Sequence, residues 1–283
     1  MLQIKVNATT ANFCLGFDCL GMAVNIANTL TFDKADCYSF SGFDSEFCNE
    51  DNLVCKAYKL AFNKASIKDI PVAIAFKGDI PIARGLGSSS SLIVAGVLAA
   101  NHYLGNIFTK EDILNICAEI EGHPDNVAPA IYGGFTASYM TNDKYKCINY
   151  EVSYKLHFYV IIPPVKVKTE DARAVLPKAL TYKACVNNIS KIIHLPLALK
   201  EGNIELLKEL CEDELHEPYR SKLIDGYDEL KEEALKHDSI LLISGSGSTM
   251  LVISNDNELE NKFNSKYGIK KVIPSFGAKI EEI

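Results

Sequence analysis

The chain has 283 residues, with 29 Lys plus Arg against 36 Asp plus Glu, a formal charge of −7. A net acidic chain repels a phosphate backbone, which sets nucleic acid aside as a general partner while leaving room for a local basic pocket. With 48% hydrophobic residues at this length, the chain can bury most of its surface without disulfides or a structural metal, as one large domain or two.

The nine cysteines (14, 19, 37, 48, 55, 117, 147, 185 and 211) are odd in number, scattered and without a C-x-x-C pair, so they read as reduced core thiols of a cytosolic protein. Met1-Leu-Gln-Ile-Lys5 lacks the apolar run of a signal peptide. The longest apolar stretch, Leu92 to Ala100, is far short of the roughly 20 residues that span a bilayer. The expectation is a soluble, cytoplasmic protein with no membrane partner.

Val72 to Phe76 predicts a strand, and Pro81 to Ser91 a Gly/Ser-rich loop. Ser91 to Leu104 is apolar nearly all round, as a buried helix is. Thr109-Lys-Glu-Asp112 is an N-cap signature, followed by Ile113, Ile116, Cys117 and Ile120 at helical spacing. A soft domain boundary falls near 150–155. Phe158 to Ile162, stopped by Pro163-Pro164, suits a buried strand. Two charge-rich amphipathic segments, 201–214 and 226–237, precede strand Ser239 to Ile243, turn Ser244-Gly-Ser-Gly-Ser248 and strand Thr249 to Ile253. Without a strict βαβα alternation, the order favours an α+β fold.

The loop is the most informative stretch: Pro81, Ile82, Ala83, Arg84, Gly85, Leu86, Gly87, Ser88, Ser89, Ser90 and Ser91. Gly85 and Gly87 let a backbone approach an anion, the serines offer N–H and O–H donors, and the dipole of the following helix points at the same place. This is the physics of a phosphate loop without the lysine of G-x-x-x-x-G-K-[ST] or the third glycine of G-x-G-x-x-G. The alternative, a flexible linker, does not usually join a strand to a strongly apolar helix.

Pro81 with Gly85-Leu-Gly-Ser-Ser89 resembles the ATP-binding motif of the GHMP small-molecule kinases. Asn7-Ala-Thr-Thr-Ala-Asn-Phe-Cys-Leu-Gly-Phe-Asp-Cys-Leu-Gly21 is similar to that family's N-terminal motif, and Ser244-Gly-Ser-Gly-Ser248 to its C-terminal glycine-rich motif. Glu121-Gly-His-Pro-Asp-Asn-Val-Ala-Pro129, Lys168 to Arg173 and Glu217-Pro-Tyr-Arg220 resemble the family's homoserine kinase branch. The resemblance implies two α+β domains, residues 1–152 related to a ribosomal-protein domain and 153–283 ferredoxin-like, with ATP and an acceptor between them. It further implies ATP as phosphoryl donor, Mg2+, L-homoserine as acceptor and threonine biosynthesis as the setting, and leaves a homodimer open.

By the same resemblance Asn12, Asp18, His123, Arg173 and Arg220 contact the acceptor, Asn12 and Asp125 take part in catalysis, and Ser89 with Glu121 holds the metal. Because the connection before the histidine is short, Glu119 is the reserve metal ligand. The residue chemistry agrees. Guanidinium groups match a carboxylate with two parallel bonds, Asp18 suits an ammonium, and phosphoryl transfer asks mainly for positioning and charge neutralisation. Asp125 is open between general base and support of the metal site. Thr169 is as well explained as a helix N-cap and stays outside the set. Other kinases of the family, for mevalonate-pathway intermediates or sugars, would not need a carboxylate clamp with the Arg173 and Arg220 contexts. A non-catalytic ligand-binding relative predicts a damaged phosphate loop, which this chain does not have. An RNA-binding module is opposed by the acidic charge.

Overall fold

The computed structural model describes all residues, 1–283. In chain order the elements are β1 (Leu2–Ala11), β2 (Leu20–Lys34), β3 (Ser39–Ser41), α1 (Leu53–Lys64), β4 (Val72–Gly78), α2 (Ser88–Tyr103), α3 (Lys110–Glu121), α4 (Val127–Tyr132), β5 (Phe135–Thr141) and β6 (Lys144–Tyr150). Then come β7 (His157–Ile161), α5 (Thr169–Ala174), α6 (Tyr182–Ile192), α7 (Leu195–Glu201), α8 (Ile204–Leu210), α9 (Glu217–Arg220), α10 (Tyr227–Lys236), β8 (Ile240–Ile243), β9 (Met250–Ser254), β10 (Lys270–Val272) and β11 (Lys279–Glu282). No helix is long and apolar enough to cross a membrane.

The first sheet runs β11-β1-β2-β4-β3, with β5 pairing β2 and carrying β6 at its side. Leu2, Ile4, Val6, Leu30 and Phe32 of this sheet pack against α1, α2, α3 and α4. As its all-round apolar sequence demands, α2 is buried along most of its length. Gly96 permits the contact with α1: a Cβ there would lie 2.3 Å from the Val54 carbonyl oxygen. The expected cap of α3 is present, with Thr109 Oγ1 accepting from the Asp112 N–H and the Asp112 carboxylate accepting from the Thr109 N–H.

The second sheet is antiparallel in the order β10-β7-β9-β8. Phe158, Val160, Leu242, Leu251 and Ile253 face one apolar cluster, while Tyr159, Ile161, Leu241, Met250 and Val252 face another with α10. Both faces are covered, so these strands read as continuous apolar runs rather than alternating ones.

Three expected boundaries move. The helix after the glycine loop starts at Ser88, so Ser88 to Ser91 form its first turn. The segment 201–214 is cut: Gly202, at φ 69°, ends α7, Asn203 accepts from the Leu206 N–H to start α8, and α8 stops at Leu210. Thr169 does not cap α5, because Lys168 holds the cap position and makes no side-chain bond there.

Candidate functional site

A cleft of about 620 Å³ lies between the sheets, lined from the first half by the 82–89 loop, Glu121, His123 and Asp125, and from the second by Thr169, Arg173, Arg220 and Gly245. The glycine loop is tied across the cleft to the chain's other half. Ser244 Oγ donates to the Gly85 carbonyl at 2.6 Å, and the Thr249 and Val167 N–H groups donate to the carbonyls of Arg84 and Ala83. A Cβ at Gly85 would lie 2.1 Å from the Ser244 carbonyl oxygen, which is why this crossing requires glycine.

Gly87 caps α2 in the left-handed conformation. The first intrahelical bond runs from the Ser91 N–H to the Gly87 carbonyl at 2.9 Å, leaving the N–H groups of Ser88, Ser89 and Ser90 without acceptors in the protein. Three free donors at the positive end of a 16-residue helix form an anion site. Ile82, Ala83, Arg84, Gly85, Gly87, Ser88 and Ser89 line the cleft. The other four residues of the expected run stand back from the cleft. Leu86 is buried in the apolar cluster, and the Ser91 hydroxyl is taken up by the Ser88 carbonyl and Asn28. Neither side chain reaches the cleft, and neither Pro81 nor the buried Ser90 lines it.

Glu121, the last residue of α3, accepts hydrogen bonds from Ser89 Oγ (2.8 and 3.1 Å) and Ser90 Oγ (2.8 Å). Glu119 points elsewhere, paired with Lys64 of α1 at 2.7 Å. A hydroxyl and a carboxylate facing the cleft beside free N–H groups are the oxygen donors that a small hard cation takes, so Ser89 and Glu121 fit magnesium and Glu119 does not.

At the other end Asp18, His123 and Asp125 converge, with ligand-capable atoms within 4.8 Å of one another. His123 Nδ1 lies 2.5 Å from Asp125 Oδ1. Burial works against the imidazolium, but the Asp125 carboxylate, with Glu121 and Asp18 beyond, holds His123 above its ordinary pKa. Asn12 sits at φ 65°; its amide donates to the Gly245 carbonyl and its Oδ1 accepts from the Asp18 N–H. Arg173 grips Asp18 through two bonds of 3.0 and 2.7 Å.

Arg220 is only 2% exposed. It donates to the carbonyls of Ala172 and Gly245 and lies over the Phe17 ring, but no carboxylate pairs with it. Burial, and then Arg173, press its pKa below the ordinary value. A guanidinium stays charged under such pressure, so this is a buried cation on the cleft wall without a carboxylate partner.

Two groups of lining residues escaped the sequence reading. Phe43, Phe47, Leu53, Phe76 and Leu92 form an apolar end, with Phe43 and Phe76 stacked at 4.8 Å. The aromatic run Phe40, Phe43, Phe47 was the available signal. Asn126 also faces the cleft, accepting from Thr9 Oγ1 at 2.8 Å, and it lies inside the Glu121–Pro129 motif.

The model of the GHMP kinases N terminal domain matches residues 52–134, and that of the GHMP kinases C terminal matches 197–268. A homoserine kinase of Clostridium beijerinckii is 40% identical over 275 residues, covering 95% of this chain and 92% of that protein. One from Clostridium botulinum (strain 657 / Type Ba4) is 39% identical over 268 residues, covering 94% and 90%. The chain belongs to the GHMP kinase family, among its homoserine kinases. The crystal structure of homoserine kinase from Cytophaga hutchinsonii superposes with a TM-score of 0.86 at 30% identity, covering 99% of this kinase and 97% of that chain. The two-sheet architecture described above is therefore the two-domain GHMP kinase fold, mixed in α and β content as expected.

Proposed function

We propose that this kinase transfers the terminal phosphoryl group of ATP to the side-chain hydroxyl of L-homoserine, giving O-phospho-L-homoserine and ADP for threonine biosynthesis in the cytoplasm. The observation that carries the choice of acceptor is Arg220, a buried guanidinium without a carboxylate partner, facing the cleft at the end away from the apolar pocket. An isolated buried charge costs several kcal/mol, which an acceptor carboxylate offsets when it binds. A sugar brings no such group.

In this reading the base of ATP occupies the apolar end, near Phe43 and Phe76, and its phosphates meet the N–H groups of Ser88, Ser89 and Ser90. Ser89 and Glu121 hold magnesium, which when bound supplies charge neutralisation for the phosphates. Arg173 and Arg220 take the acceptor carboxylate, while Asp18 and His123 lie toward its ammonium. Asn12 and Asp125 lie toward the reacting hydroxyl. Asp125 is already engaged with His123 at 2.5 Å, which favours an orienting role over that of a free base. The division into units 1–152 and 153–283 belongs to the same reading, with β11 returned to the first unit.

ADP release measured with homoserine, mevalonate, galactose and shikimate tests the assignment. Homoserine is expected to exceed galactose in kcat/KM by at least about a hundredfold, since a buried charge left unpaired costs this much or more, and also to exceed mevalonate and shikimate, which bring a carboxylate but no ammonium for Asp18. Preference for another acceptor overturns it.

A further inference from the structure

Asp18 and Arg173 are separated by 155 residues, yet they close on each other through two parallel hydrogen bonds at the cleft. Neither is a loose surface group. Asp18 is fixed at φ 57° with its N–H on Asn12, and Arg173 lies over the Phe17 ring that also supports Arg220. Their side chains remain 32% and 39% exposed, accessible from the cleft that both line. The groups assigned above to an ammonium and a carboxylate therefore satisfy each other, while Arg220 has carbonyl partners but no carboxylate.

We propose that the Asp18–Arg173 pair is an internal competitor for the acceptor site, and that it makes the site selective for zwitterions. This rests on the reading given under Proposed function. An acceptor carrying both an ammonium and a carboxylate opens the pair and returns an opposite charge to each half. An alcohol carrying only one of these opens the same pair and leaves one of the two partly exposed groups without its opposite charge. The two charges of the acceptor are then worth more together than separately, and selectivity against simple hydroxy acids and amino alcohols arises from the protein's own ion pair. Arg220, which has no internal competitor, gives the incoming carboxylate its first hold.

The test compares L-homoserine with 4-hydroxybutyrate, which lacks the ammonium, and 3-amino-1-propanol, which lacks the carboxylate. ADP release gives KM and kcat for the parent, Asp18→Asn and Arg173→Gln. Calorimetric binding in the presence of ADP provides a second readout where turnover is slow. Asp18→Asn frees Arg173 from charge competition, so its KM for 4-hydroxybutyrate is expected to fall about two- to fivefold below the parent value while that for homoserine rises, the size expected of a partly exposed ion pair. Arg173→Gln is expected to do the same for 3-amino-1-propanol. Thermal melting verifies that both variants fold. Variants that weaken every acceptor, or leave the truncated ones unchanged, overturn the proposal. The underlying assignment is judged separately: it stands if the parent prefers homoserine over mevalonate and galactose, whatever the variants do, and falls if it does not.

Discussion

Glu119 and Glu121 stand two positions apart in the last turn of α3, which puts them roughly 200° apart around the helix axis. One therefore faces the protein's outer surface, where it meets Lys64, and the other faces the serines of the glycine loop. The exposed pair contributes little to stability, whereas the carboxylate in the cleft is well placed for a metal. Glu121→Gln keeps the shape and removes the charge; turnover is expected to drop on the order of a hundredfold or more, with a higher magnesium requirement. Glu119→Gln is expected to stay within about twofold of the parent, as an exposed half-pair should. Steady-state ADP release across a magnesium titration decides the matter, and the reverse ranking would move the metal ligand to Glu119.

At the scale of elements, α2 serves two ends at once: its body fills the core of the first half, and its first turn presents free N–H groups to the cleft. Gly87 is a poor place to test the second role. A Cβ there, already disfavoured at φ 68°, would fall 2.1 Å from Thr9 Oγ1, so substitution damages the fold as well as the anion site. Ser88 separates the two. A carboxylate at the first helical position favours the helix dipole but repels a phosphate at the same spot. Ser88→Glu is expected to keep or slightly raise the melting temperature while weakening ATP affinity at least about tenfold, consistent with a like charge inserted at close range. Calorimetry and thermal melting measure the two quantities, and unaltered ATP affinity in the folded variant would remove the phosphates from this helix end.

At the scale of the whole molecule, the two halves meet through the cleft and through the chain's return. After the second sheet is complete, β11 pairs with β1, with Lys279 opposite Lys5 and Glu282 opposite Leu2. In the second half, buried Glu217 accepts hydrogen bonds from the Ile243 N–H (2.7 Å) and Tyr227 Oη (3.3 Å), which links α9, α10 and the edge strand β8. Asp213 and Lys231 are the charged groups near it. Burial raises its pKa from 4.5 to about 7, so the folded state holds this proton more tightly than the unfolded chain. Its contribution to stability is complete below about pH 4.5 and is lost as pH rises toward and through 7. Glu217→Gln is expected to flatten this part of the pH dependence, worth on the order of 3 kcal/mol, in urea unfolding at pH 5, 6, 7 and 8. A slope equal to the parent's would place the ionisation on another group.

Local signals were legible in the sequence because they depend on residues within about four positions of one another. The Thr109 cap, the apolar α2, the runs that became β7, β8 and β9, and the glycine loop all belong to this class, and with three separated motifs they identified the kinase family. Ser88 to Ser91 as a helical turn could not be separated from the loop, since serine is acceptable to both and the left-handed Gly87 sets the boundary. Decisions taken over long distances in the chain were out of reach. Which of Glu119 and Glu121 faces the serines depends on how α3 packs. The apolar end of the cleft depends on Phe43 meeting Phe76 across separate elements. Residue type alone makes Arg173 and Arg220 ordinary arginines and only the resemblance singled them out; the burial of Arg220 against the Ala172 and Gly245 carbonyls and the pairing of Arg173 with Asp18 came from the tertiary structure. Charge type was written in the sequence; burial and pairing, which decide what a charge can bind, came only with the tertiary structure.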